Sequence, residues 1–446
     1  MSAPSARLVL PLLRFQDAVR DPDPFLRLAE RGVGGFCVFG GDHRLPGLLG
    51  RLQEAAPHPL LICADLEDGA GQQVGGCTRH PPAAALDAEA AEAAGALTAV
   101  EARRHGITMA LAPCCDVLSE PENPILNVRC FRDPALGAPA FVRGARRAGL
   151  RTCAKHFPGH GGSRADSHDA LPVVPAGAAT WRRRDLPPFA ACFEAGVDAV
   201  MSAHLDCPAL TGEPALPATL SRRVMTGLLR DELGFSGVVL TDALLMKGVG
   251  ADEAEAARAA FEAGCDLLLG PRDPERVLRA VRRLDAERSL WRIDAAAGAP
   301  TAGAEPDPAA LRERLRDAAA RSVTGKAAPV GPGPHPLRIF DLHGEGHDVA
   351  AACGLGWERR GLSGEVLDSA DGPGLQAPVV AVLRRDKAWG GPVSPPPAVA
   401  EAMRAAALVV VLGPDSLRRA APGPHLHAPG QDPFTLREVL RRVRAP

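Results

Sequence analysis

Eight short apolar runs recur through the first 290 or so residues, and they constrain the fold of this chain more than any other feature. They are LVLPLL (8–13), GGFCVFGG (34–41), PLLICADLED (59–68), TMALAPCCDV (108–117), TCAKHF (152–157), DAVMSAHL (198–205), GVVLTDAL (237–244) and DLLLG (266–270). Runs of this length without a polar residue at every second position suit strands buried on both faces, which is the environment of a parallel sheet. Between them lie Ala-rich segments such as Leu86–His105 and Glu253–Ala263, which read as amphipathic helices. Eight strand–helix repeats over this length predict a (β/α)₈ TIM barrel, an α/β fold, over residues 1–293. The alternative is a doubly wound sheet, but no G-x-G-x-x-G follows the first run to support it.

Polar residues collect at the ends of these runs. Asp65, Glu67 and Asp68 close the third, Asp116 the fourth, Lys155 and His156 the fifth, His204 and Asp206 the sixth, and Asp242 the seventh. A barrel assembles its active site at the C-terminal ends of its strands. One such residue could be a helix cap, but five successive ends point to a site.

The texture changes after Trp291. Asp294–Asp307 is rich in Ala, Gly and Pro, Pro308–Val323 reads as a helix, and AAPVGPGPHP (327–336) reads as a linker, so 294–336 joins two domains. Strand candidates LRIFDL (337–342), PVVAVLRR (378–385) and ALVVVLGP (407–414) predict a small α/β C-terminal domain over 337–446.

Composition excludes several classes. The net charge of -2 and the lack of any Lys/Arg-rich run give no footprint for nucleic acid or an anionic membrane. The N-terminal MSAPSARLVLPLLRF is too short and interrupted for a signal peptide, and no run of 18 apolar residues occurs, so a soluble cytoplasmic protein is expected. The 11 cysteines include no C-x-x-C pair, and several sit inside apolar runs, as reduced buried thiols do.

The densest chemistry lies in CAKHFPGHGGSRADSHDALP (153–172). His156 and His160 are four apart, but Pro158 and Gly159 between them oppose the helix that a zinc pair would need, so no metal is expected. The glycines follow the lysine, unlike a phosphate loop. Asp166-Ser167-His168 sets a carboxylate two residues from an imidazole, where it can fix the tautomer and raise the basicity of the far nitrogen. That is an acid–base arrangement.

KHFPGHG followed by D-S-H resembles the signature of glycoside hydrolase family 3, in its β-N-acetylglucosaminidase branch. ADLEDGAG (64–71), LAPCCDV (111–117), NPILNVRCFRDP (123–134), VMSAHL (200–205) and TDALLMKGV (241–249) resemble further segments of that branch in the expected order. The resemblance implies a retaining exo-β-N-acetylglucosaminidase acting on peptidoglycan-derived muropeptides, with no cofactor. It further implies that Asp242 is the nucleophile, that His168 held by Asp166 is the acid/base, and that Asp65, Arg129, Lys155 and His156 hold sugar hydroxyls. His204 would line the pocket or stand behind it, while Asp68 and His160 are expected to be structural. The imidazole departs from the usual carboxylate pair and does not repel an anionic acceptor, so phosphorolysis is an alternative. A β-glucosidase and a non-catalytic sugar-binding barrel are the others. Where the branch usually carries a sugar-gripping arginine, eight residues after Asp65, this chain has Gln73, and Asp68 and Cys130 replace its usual Gly and Ser.

Overall fold

The computed structural model describes the chain except residues 1–3, 122, 166–169, 251, 298–302, 304, 326–331, 334–336, 342–356, 361–365, 371–373, 376–378, 384–396, 407, 413–424, 429–432 and 445–446. The apolar runs become β1 (Val9–Leu10), β2 (Leu12–Arg14), β3 (Gly35–Phe39), β4 (Leu61–Ala64), β5 (Met109–Ala110), β6 (Arg151–Phe157), β7 (Ala199–Ser202), β8 (Val238–Leu240) and β9 (Leu268–Leu269). Strands β2 to β8 pair in chain order, every pair parallel. The ring closes through β9, which pairs with β1 in the register Val9↔Leu268 and Leu10↔Leu269 and meets β8 at a bridge between Leu240 and Leu267. β1 and β2 are one stave interrupted at Pro11, which has no N–H to donate but still accepts from the Cys37 N–H at 2.9 Å. Eight staves and their parallel pairing make the predicted barrel.

Helices cover the outside. Asp87, Asp133, Asp252 and Asp273 cap the helices Ala88–Arg104, Pro134–Arg147, Glu253–Ala263 and Pro274–Val281 by accepting from N–H groups of the first turn. The first two of these helices pack closely because a Cβ on Gly95 would strike the Phe141 carbonyl and one on Gly144 the Glu92 carbonyl. No helix among the described residues is long and apolar enough to cross a membrane.

Beyond the barrel the predicted helix is present at Pro308–Ser322, tied to the helix Ala88–Arg104 by Arg312 and Glu101 at 2.7 Å. A second sheet follows in the order Thr324–Gly325, His425–Ala428, Leu408–Leu412, Val379–Leu383, Leu337–Asp341, Trp357–Arg360, Val366–Ala370, parallel at its centre and antiparallel at both edges. Alternate residues of its central strands feed two clusters, Ile339, Val379, Ala381 and Val410 on one face and Phe340, Val380, Val409 and Val411 on the other. Three of its strands coincide with runs named above; Trp357–Arg360, Val366–Ala370 and His425–Ala428 carry too little apolar patterning to have been read as strands. The ten cysteines among the described residues form no disulfide.

Candidate active site

At the C-terminal ends of the barrel strands lies a cavity of about 380 Å³. Its floor is apolar, with Leu12, Cys37, Leu111, Met201 and Leu269, and its polar wall holds Asp65, Arg129, Lys155, His156, His160 and Asp242. Five of the eight residues singled out as site candidates therefore converge on one space.

Two of them are joined by a carboxylate that was noted only as a polar strand end. Glu67, two residues beyond Asp65 after β4, accepts from Arg129 Nε at 2.7 Å and Nη2 at 3.0 Å, and meets Lys155 Nζ at 2.7 Å. Lys155 also donates to Asp65 Oδ1 at 2.6 Å. Three of these groups are withdrawn from water, with side-chain exposures of 9% for Arg129, 4% for Glu67 and 2% for Lys155, while Asp65 stays 20% exposed at the cavity. Burial alone would lower the pKa of the Lys155 ammonium, but Asp65 and Glu67 more than offset it, so the pKa is raised and the group stays charged. The same balance against Glu67 keeps Arg129 charged. Arg129 thus pairs with Glu67, not with Asp133, which instead caps the next helix.

A second buried carboxylate orients the two histidines. Asp116 Oδ2 accepts from His156 Nδ1 at 2.7 Å and from the His156 backbone N–H at 3.1 Å, while Oδ1 accepts from the His160 N–H at 2.5 Å. Burial pushes the Asp116 pKa up, yet the His156 imidazole and these N–H donors outweigh it and hold the carboxyl at about 2. Nε2 of His156 faces Arg129 Nη2 at 3.3 Å. An arginine cannot accept, so Nε2 carries the lone pair and Nδ1 the proton. The turn is locked from the other side by Asn123, whose amide donates to the His160 carbonyl at 3.0 Å and accepts from Ile125 and Leu126, the segment leading to Arg129. Gly161 then passes so close to the Val117 carbonyl that a Cβ would collide with it.

Asp242 follows β8 and lines the same cavity; its Oδ1 accepts from the Ala243 N–H at 2.7 Å. His204 is fully buried behind it, with Nε2 at 3.2 Å from the Ala243 carbonyl and Nδ1 at 2.9 Å from Thr219 Oγ1, and it does not line the cavity. Its contacts hold the chain next to Asp242. Asp68 pairs with Arg79 away from the cavity, and Gln73 accepts from the Gly40 N–H at 3.0 Å. Arg14, at the end of β2, stands exposed on the cavity wall. Asp166 and His168 lie outside the described residues.

A metal would find one candidate set among the described residues, Cys114, Asp116 and His156, whose donor atoms lie within 4.8 Å of one another. Those donors are already engaged with each other: the Cys114 thiol donates to Asp116 Oδ2 at 3.2 Å and His156 Nδ1 to the same oxygen. Burial and the neighbouring Cys130 push the thiol pKa well up, away from the thiolate a metal requires. The set fits a hydrogen-bonded support better than a metal site.

Glu67, Asp116, His160 and Arg14 were not among the site candidates. The signal for the first two was present, since both belong to the polar strand ends. His160 sits behind a Pro-Gly pair whose path cannot be read from spacing.

Residues 45–297 match the model of the glycosyl hydrolase family 3 N-terminal domain. A β-hexosaminidase of Thiobacillus denitrificans is 35% identical over 315 residues, covering 66% of this chain and 86% of the relative. One from Pseudomonas aeruginosa is 38% identical over 270 residues, covering 56% and 80%. A solved family 3 β-N-acetylglucosaminidase from Paenibacillus superposes with a TM-score of 0.81 at 27% identity, over 99% of this chain and 95% of that one.

Proposed function

Because the chain belongs to glycosyl hydrolase family 3, and is thus a glycoside hydrolase, we propose that it is a retaining exo-β-N-acetylglucosaminidase that releases terminal N-acetylglucosamine from peptidoglycan fragments in the cytoplasm. The observation that carries this reading is the cavity wall, where Asp242 shares one space with Asp65, Arg129, Lys155 and His156, charged and polar groups suited to sugar hydroxyls. The relatives named β-hexosaminidase support the choice of sugar. The peptidoglycan aglycone and the compartment rest on the sequence resemblance.

In the first step the Asp242 carboxylate attacks the anomeric carbon, and the glycosidic C–O bond breaks with its electron pair going to the leaving oxygen. His168, held by Asp166, gives that oxygen a proton. The now neutral imidazole then takes a proton from water as its oxygen attacks the anomeric carbon, which releases Asp242 and returns the sugar with its β configuration. Lys155, Arg129 and Asp65 offer charged hydrogen-bonding groups in a nearly dry wall, where a sugar lacking the matching hydroxyl leaves a charge unpaired.

The test compares release of p-nitrophenol from N-acetylglucosamine and glucose glycosides, with and without phosphate. The N-acetylglucosaminide is expected to be the faster substrate and to yield free sugar in both buffers. A faster glucoside would overturn the sugar assignment, and a sugar phosphate would overturn hydrolysis. Asp242→Ala is expected to lower turnover by several orders of magnitude with the fold intact, and mass spectrometry of an enzyme trapped with a slow 2-acetamido substrate to find the sugar on Asp242.

A further inference from the structure

Among the described residues, His160 is the one imidazole of the cavity whose capacity is unspent. His156 gives Nδ1–H to Asp116 and receives Arg129 on Nε2, so both of its nitrogens are engaged. His160 is only 2% exposed and lines the same cavity, yet neither Nδ1 nor Nε2 has a hydrogen-bond partner among the described residues. Its position is not slack. The backbone N–H is fixed on Asp116 Oδ1, the carbonyl on the Asn123 amide, and the ring stands edge-on to His156 with centroids 6.2 Å apart. A buried polar group without a partner costs stability and calls for an explanation in a native fold.

We propose that His160 is a substrate-contacting residue that binds a hydroxyl of the sugar in this cavity, donating from one ring nitrogen and accepting on the other or using one of the two. The chemistry selects the ligand class. A neutral imidazole offers one donor and one lone pair, which matches a hydroxyl and gives little to a carboxylate or an ammonium. The charged ligand-binding roles are already taken by Lys155, Arg129 and Asp65. Desolvation drives the pKa of His160 down to about 4, against the opposing pull of Asp116, so the ring is neutral wherever the enzyme works near neutrality. The same carboxylate, Asp116, therefore sets two imidazoles at one space, one bridging to Arg129 and one left for the sugar.

This inference rests on the reading of the cavity as the sugar site, and the two fail separately. The rate of the wild-type enzyme on N-acetylglucosamine and glucose glycosides reports on the sugar, whatever His160 does. The contact is then read with whichever monosaccharide the wild type releases, by calorimetric affinity for that sugar and for its mono-deoxy analogues, in His160→Phe, His160→Asn and His160→Gln. Phe keeps the ring's size and its edge contact with His156 but removes both nitrogens. We expect Phe to weaken sugar binding about tenfold or more and to raise KM more than it lowers kcat. One of the two amides should recover part of the loss. One deoxy sugar should bind wild type and the Phe variant equally. Circular dichroism confirms that each variant is folded, and the amides keep the test open should Phe disturb the turn. Sugar affinity within twofold of wild type in all three folded variants would overturn the contact, as would a loss that neither amide recovers and that every deoxy analogue shares.

Discussion

Glu67→Gln is the most informative single change, because one carboxylate neutralises two buried cations. It receives three charged hydrogen bonds, from Arg129 Nε and Nη2 and from Lys155 Nζ, at 2.7, 3.0 and 2.7 Å. The amide is nearly isosteric, so no cavity term enters. Lys155 keeps Asp65 at 2.6 Å, but Arg129 exchanges its carboxylate for neutral acceptors, the amide oxygen, the Ile125 carbonyl at 3.3 Å and a histidine nitrogen. Orphaning one member of a buried ion pair costs about 3–5 kcal/mol, a large share of the roughly 5–15 kcal/mol that holds a typical domain. Urea unfolding should show that loss. On the proposed role of Arg129 in holding the sugar, KM should rise about tenfold or more, since a guanidinium freed from Glu67 would no longer meet it at a fixed angle, and hydrogen bonds to charged groups are worth about 1.5–3 kcal/mol. The double variant Glu67→Gln/Arg129→Met removes the orphaned cation and should regain part of the stability without regaining activity. A Glu67→Gln loss below about 1 kcal/mol with an unchanged KM would refute the view that this carboxylate organises the wall.

Three further outcomes follow from the same wall. His160 titrates at about 4 instead of its ordinary 6.5, so the unfolded chain binds its proton more readily. The neutral ring's contribution is complete above 6.5 and is lost as pH falls to about 4; that interval corresponds to about 3 kcal/mol, and His160→Phe should flatten the stability–pH curve across it. Asp116→Asn removes the anchor of both imidazoles and should lower kcat/KM about ten- to hundredfold while abolishing the acid-side loss of stability between 3.8 and about 2, measured by thermal unfolding against pH. Gly161→Ala drives a Cβ into the Val117 carbonyl and should cost about 1–3 kcal/mol in urea unfolding; an unshifted midpoint would show that the turn after His160 can give way freely.

The barrel was legible because its evidence is local and repeated. Each stave is a run of apolar residues, and a parallel sheet asks for nothing subtler. The outer strands of the C-terminal sheet were not legible for the converse reason. Trp357–Arg360 is WERR and His425–Ala428 is HLHA, and such segments are strands only because neighbours recruit them. Within the site, strand ends located the charges but not their partners. Nothing in the spacing of Asp65, Glu67 and Arg129 says which carboxylate the guanidinium takes, since the choice is made by how the chain from Asn123 to Arg129 folds back over β4.

Gln73 and His160 show how far position can mislead. Gln73 stands where the family resemblance leads one to expect a cation on the sugar, yet its side chain is spent on the Gly40 N–H and does not line the cavity. An amide suits that duty because it accepts a backbone hydrogen bond without carrying a charge into a half-buried place. His160 carries the opposite lesson: hidden behind Pro158 and Gly159 it looked like part of a turn, and the turn is what delivers it. Because Asp116 fixes the backbone N–H of His160 and the ring of His156 with its two oxygens, the cavity gains a neutral hydrogen-bonding group without adding to its charge. In a wall that already buries Glu67, Lys155 and Arg129 beside Asp65, that is the kind of group whose addition raises selectivity for a hydroxyl at the smallest desolvation cost.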